Sequence, residues 1–140
     1  MKLSELSAPA IAGVIREKTA GKAIAGIKNC AYHGADMIDL HLSCLEDRND
    51  DTLRTIIRST ALPVLALNYN TKYDWSDAGF GEDERAESFL HAVDAGAAGA
   101  DIQGYTFHAP SKDAFCGRDR YSFTKNNPKE IVTDTTVIAR

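Results

Sequence analysis

Few of the features that assign a sequence quickly are present here. There are three cysteines, Cys30, Cys44 and Cys116, odd in number and without C-x-x-C spacing. That pattern supplies neither a disulfide framework nor a zinc site, and it points to reduced thiols in a cytoplasmic compartment. No run of about 18 apolar residues occurs, which excludes a membrane-spanning helix. The opening residues, Met1-Lys2-Leu3-Ser4-Glu5, lack the apolar stretch of a signal peptide. Positive charge is not in excess: 16 lysines and arginines face 20 acidic residues, for a net charge of −4. With no basic stripe, nucleic acid is not an expected partner. A glycine-rich phosphate loop is missing too. Gly13 stands alone inside the first apolar run, so a dinucleotide-binding or P-loop reading is weak.

What is present describes a soluble globular domain, with 44% hydrophobic and 26% charged residues. A chain of 140 residues is long enough for one domain with a real core and too short for two ordinary ones. Apolar runs alternate with helical patterns. Residues 9–15 (PAIAGVI) read as a strand. Residues 19–33 place Ile24, Ile27 and Ala31 at helical spacing, and Gly34 ends them as a glycine just past a helix does. Residues 35–42 (ADMIDLHL) read as a second strand. Residues 50–59 carry Leu53, Ile56 and Ile57 on one helical face behind an Asn49/Asp50 cap. Residues 62–69 (LPVLALNY) are almost wholly apolar, as in a strand buried on both faces. Residues 82–95 form a third helical pattern, acidic in its first turn, with Phe89, Leu90 and Val93 inward. Residues 100–107 (ADIQGYTF) give a fourth strand.

Strands alternating with helices imply βαβ units and a parallel sheet, either doubly wound or closed into a barrel. An internal echo accompanies them, Gly34-Ala35-Asp36 and later Gly99-Ala100-Asp101, each after a helical stretch. The pattern then breaks. Residues 108–131 are polar and without period, and a stretch of that kind is functional or disordered more often than it is packed. Thr133-Asp134 resembles a cap, with a helical start over 137–140. An ending inside a helix reads as the early part of a longer barrel.

In parallel β/α proteins, chemistry gathers at the carboxyl ends of the strands. Those positions here hold Asp39 and His41, then Asn68, Tyr69 and Asn70, then Gln103, Tyr105, Thr106 and His108. Polar groups at buried positions need partners or a ligand. Asp39 and His41 share parity, so both side chains take one face of the sheet. A strand end also turns polar simply where it meets water, which is the plainer account of any one of these residues. Cys30 lies in a helical pattern and reads as packing, His33 as a charge near a helix end, and His91 as solvent-facing. The loop 74–81, with Trp75 and Phe80, reads as a connector or as a lid. The turn 117–120 (GRDR) reads as a solvated charged turn or as an anion clamp.

Residues 34–45 (GADMIDLHLSCL), 62–70 (LPVLALNYN) and 82–107, ending GADIQGYTF, resemble the N-terminal half of type I 3-dehydroquinate dehydratases. The resemblance spans most of residues 8–107. It implies a parallel β/α barrel of the TIM type, of which this chain is about the first four βα units. Residues 1–140 would be the N-terminal part of that single domain, with 108–131 an irregular loop. It also implies a cytoplasmic lyase of the shikimate pathway of aromatic amino acid biosynthesis. Such an enzyme dehydrates 3-dehydroquinate to 3-dehydroshikimate through a lysine Schiff base, with a histidine for proton transfer and no cofactor. Both of those residues would lie beyond Arg140, so this chain carries no catalytic residue and is expected to be inactive alone.

Matched position by position, the implied substrate-binding residues are Asp39, His41, Tyr69 and Asp77. Asp39 and His41 replace a glutamate and an arginine. Tyr69 stands where an arginine grips the substrate carboxylate, and no tyrosine replaces a bidentate guanidinium. Asp77 corresponds to a glutamate ahead of a glycine pair. The implied partner is a small keto acid, with no metal and no membrane. An open sheet edge further implies a homodimer or a longer chain. The alternative reading is a divergent barrel relative of unknown ligand, either non-enzymatic or metal-assisted. In the metal-assisted form, Asp39, His41 and His108 would supply oxygen and nitrogen ligands.

Overall fold

The computed structural model of the chain describes residues 3–7, 9–68, 81–102 and 136–139. Three helices form where the local sequence caps them. Helix α1 (Ala20–Tyr32) starts behind extended Thr19, whose Oγ1 accepts from the Lys22 N–H at 3.4 Å. It ends at Gly34, whose φ of 85° lies in the left-handed region that side chains disfavour. Helix α2 (Asp50–Ile57) is capped by Asn49, whose Oδ1 accepts from the Thr52 N–H at 2.8 Å. Asp47 supports that cap from outside the helix. Its carboxylate accepts from the Asn49 N–H at 3.1 Å and the Thr52 hydroxyl at 2.9 Å. These two hydrogen bonds, the backbone one first, hold the Asp47 carboxyl below its ordinary range. Helix α3 (Glu82–Ala95) begins after Gly81, whose N–H donates to Glu84 Oε2 at 3.2 Å, and stops at left-handed Gly96.

Between the helices run β1 (Ala12–Ile15), β2 (Met37–His41), β3 (Val64–Leu67) and β4 (Gly99–Ile102), and β5 (Thr136–Ala139) follows. All four pairings are parallel, in the order β1-β2-β3-β4-β5. A sheet that grows in one direction through right-handed crossovers keeps its helices on one face. A doubly wound sheet would instead reverse its order and carry helices on both. The core agrees with the first arrangement. Ile15, Ile38, Leu40, Val64, Ala66 and Ala100 form one buried cluster with Ala23 and Ile27 of α1, Leu53, Ile56 and Ile57 of α2, and Phe89 and Ala92 of α3. Helix and strand come close enough at Gly13 that a Cβ there would lie 2.6 Å from the Cys30 Cβ. The lone glycine of the first strand is therefore a packing device for α1.

Several elements differ from the pattern reading. The stripe of α1 runs through Ala23, Ile27 and half-buried Cys30, while Ala31 is exposed. Val93 is only half-buried, and Ala92 takes the inward place. The second strand stops at His41, and Leu42–Cys44 form a 3-10 turn. The helical start expected over 137–140 is instead strand β5. Four residues are too few to show a helical period, and Thr136, Val137 and Ile138 are β-branched, which suits a sheet. The echo also shifts. Asp36 lies ahead of β2, where its carboxylate accepts from the Ile11 N–H at 2.8 Å, whereas Gly99, Ala100 and Asp101 lie within β4. The true structural repeat pairs Gly34 with Gly96, both left-handed and both closing a helix. The segment 108–131 lies outside the described residues.

Candidate functional site

Alternation along a strand sends successive side chains to opposite faces. On β2, Ile38 and Leu40 face the helices, which leaves Asp39 and His41 on the opposite face. Register carries this across the sheet: Asp39 pairs with Leu65, His41 with Leu67, and Leu67 with Asp101. His41 and Asp101 therefore flank Leu67 at one level, their Cα atoms roughly 10 Å apart for strands about 4.8 Å apart. Asp39 lies one pleat deeper, about 6.6 Å along β2 from His41. The result is two carboxylates and an imidazole on one face, at two adjacent levels toward the carboxyl ends of the parallel strands.

These residues are buried, though unevenly. Asp101 is fully buried, His41 is 7% exposed, and Asp39 is intermediate. Asp39 Oδ1, His41 Nδ1 and Asp101 Oδ1 are each shut off from solvent. Leu65 and Leu67 are buried on the same face, while Val14 on β1 is 54% exposed. Cover over this face thus falls away toward the β1 edge.

Asn68 takes a different part from the one its strand-end position suggests. Its parity is that of Val64 and Ala66, toward the helices. There its Nδ2 donates to Ser88 Oγ of α3 at 2.7 Å, and Ser88 Oγ donates to the Arg85 carbonyl at 2.7 Å. Arg85, 1% exposed, closes the circuit by donating from Nη1 to the Asn68 carbonyl at 2.5 Å. The circuit ties the first turns of α3 to the end of β3, and Asn68 Oδ1 is buried there without a hydrogen bond. Burying an arginine is costly unless its donors are used, so Arg85 is a structural commitment of the fold.

Of the implied binding residues, Asp39 and His41 come together on one face. Tyr69 and Asp77 lie outside the described residues, as do Gln103, Tyr105, Thr106, His108, the loop segment 74–80 and the turn 117–120. Pattern reading noted Asp101 only as part of an echo and missed Arg85 and Ser88 altogether. The signal for Arg85 was its place on the inward row of α3 with Phe89 and Ala92, where a charge is out of character. The other histidines stand apart from this face. His33 caps α1, and half-exposed His91 meets Asp50 Oδ1 through Nδ1 at 2.5 Å on the outer surface. Cys30 and Cys44 carry free thiols. Among the described residues no group of three or more histidines, cysteines or acids is placed to hold a metal ion. Likewise, no described helix is long and apolar enough to cross a membrane.

No protein-family model matches this chain, and no curated protein matches it. Among solved structures it is similar to a protein from Burkholderia cenocepacia J2315 assigned as a phosphonomutase, at 22% identity and a TM-score of 0.42. That alignment covers 68% of this chain and 38% of the other, so the chain spans well under half of the structure it resembles. A likeness of this degree carries no argument about chemistry. The chain is accordingly defined by its own architecture, a singly wound parallel α/β sheet with polar side chains at its strand ends.

Proposed function

We propose that this chain is the N-terminal part of a parallel β/α barrel lyase similar to type I 3-dehydroquinate dehydratase. The observation that supports it is the unreversed strand order with every described helix on one face; on this reading the opposite face, with Asp39, His41 and Asp101, is the inner wall of the barrel. In a barrel the carboxyl ends of the strands form the pocket. On this reading the substrate is a small polyhydroxylated keto acid. Water is eliminated through a Schiff base with a lysine of lowered pKa supplied by later strands. By the resemblance, Asp39, His41, Tyr69 and Asp77 are the residues with which this chain would meet the substrate. Borohydride reduction in the presence of 3-dehydroquinate tests the proposal. No adduct is expected on the 140-residue chain, and one is expected on a lysine of a polypeptide that continues through the remaining strands. A stable adduct on this chain, or none on the longer one, contradicts it.

The open edge at β1 belongs to the same proposal. Ile11 and Val14 are 63% and 54% exposed there. The sheet is completed by further strands of a longer chain or by a second copy. Sedimentation equilibrium separates these from a folded monomer, which would contradict both.

A further inference from the structure

Register extends the strand-end face one strand beyond His41. On β1, exposed Ala12 and Val14 alternate with buried Gly13 and Ile15, and the next residue, Arg16, is exposed in its turn. Ile15 pairs with Leu40, so Arg16 comes opposite His41, with the parity of Val14 and away from the helices. The loop that follows it is tied down, because the Glu46 N–H donates to the Lys18 carbonyl at 2.9 Å. Val14, one pleat below, is 54% exposed, so cover over the face is thinnest at this corner. None of the five strands contains a lysine or arginine, and Arg85 is buried on the helix side against the Asn68 carbonyl. Arg16 and His41 each already interact within the chain. A guanidinium carries five N–H donors in a planar fork, so one partner leaves donors for a second.

We infer that Arg16 holds the carboxylate of an acidic ligand at the β1 corner of this face, beside His41. A guanidinium can meet both oxygens of a carboxylate at once, and such charge-assisted hydrogen bonds are roughly twice as strong as neutral ones. Asp39 lies one pleat deeper, opposite Val14, and Asp101 lies three strands away, about 14 Å for strands about 4.8 Å apart. Coulomb interactions weaken with distance, so a carboxylate seated on the guanidinium is governed by Arg16 ahead of either acid. The inference rests on the reading of the strand ends as the pocket and names the residue of this chain that grips the acid group of the substrate.

The test uses the whole 140-residue chain labelled with 15N-arginine and followed by proton–nitrogen spectra of the side chains. It is titrated separately with quinate, a polyhydroxylated acid, and with methyl quinate, the same ring with its charge removed. Quinate should move the Arg16 Nε resonance and bind about tenfold or more tightly than the ester. Arg16→Gln should abolish that preference, and Arg16→Lys, which keeps the charge without the fork, should retain part of it. Arg16 is exposed, so circular dichroism of both variants should match that of the parent chain. If Arg16→Gln nevertheless fails to fold, the wild-type comparison and Arg16→Lys decide the matter. Equal or tighter binding of the ester overturns the inference. So does an Arg16 Nε resonance that quinate leaves unmoved, or a preference for quinate that survives in folded Arg16→Gln. A chain that passes this test while the longer polypeptide forms no Schiff base would retain the carboxylate site and lose the lyase reading. A Schiff base on the longer polypeptide without any preference for quinate here would do the reverse.

Discussion

The two faces of the sheet obey different rules. Toward the helices, Ile38, Leu40, Val64, Ala66 and Ala100 are buried in one apolar cluster with all three helices, and nothing ionisable interrupts them on the strands. Across the sheet, one residue along, the side chains are Asp39, His41, Leu65, Leu67 and Asp101. Both faces are buried over β3, where the helix side ends in the Asn68, Ser88 and Arg85 circuit and the opposite side holds Leu65, with Leu67 between His41 and Asp101. Each carboxylate and the histidine costs free energy to dehydrate, so such groups need partners where they are buried. On the helix side Asn68, Ser88 and Arg85 find theirs in one another.

The largest effect should come from emptying the apolar side. Phe89→Ala removes a ring that is 1% exposed against the cluster and should cost about 3–5 kcal/mol, read as a lower urea midpoint at unchanged slope. Next comes the close approach of α1. Gly13→Ala sets a Cβ 2.6 Å from the Cys30 Cβ and 2.7 Å from its Sγ, and should cost about 1–3 kcal/mol in the same measurement. Cys30→Ala should restore only part of that loss, since the nearer clash is with its Cβ. Full rescue would mean that the helix shifts as a whole.

The circuit at the end of β3 comes third. Ser88→Ala leaves the Asn68 amide donor buried without its partner and should cost about 1–3 kcal/mol. Amide exchange at the end of β3 and in the first turns of α3 should quicken ahead of the rest of the sheet. On the opposite face, Asp39→Ala should leave the fold intact, with circular dichroism and cooperative melting unchanged, while altering the response to ligand. Loss of folding there would erase the distinction between the faces.

The smallest effect belongs to the α2 cap, away from either face. The Asp47 carboxyl is lowered in the folded state by hydrogen bonds from Asn49 and Thr52. A depressed folded-state value adds stability that is fully present above the unfolded carboxylate range and is lost as pH falls through the folded value. Carbon-detected titration of Asp47 should therefore show a midpoint below 3.8, and Asp47→Asn should flatten the acid limb of the stability curve.

Helix positions were the most legible part of the sequence. The third was read as 82–95, the bounds it has, because its period and acidic first turn are both local signals. Strand existence was legible and strand length was not. The first strand was read from residue 9 and begins at Ala12, and β5 was read as a helical start. A short apolar run looks alike in either state until a neighbour supplies its hydrogen bonds. Asp39 and His41 were legible as a pair from parity alone, a property of one strand. Asp101 was not linked to them, because that depends on the register of β3 against β4.

The sequence by itself determined the alternation of strands and helices, the caps at Thr19 and Asn49, and the two glycines at positive φ that end α1 and α3. All of these are set by contacts within a few residues, where chain connectivity fixes the geometry. Only the tertiary structure decided which face each polar residue takes in relation to the others. It turned Asn68 inward to Ser88, buried Arg85 beneath the end of β3, and brought Asp101 to the level of His41. Those outcomes depend on strand order and register. These are chosen by the total apolar area buried across the domain, which no single segment encodes.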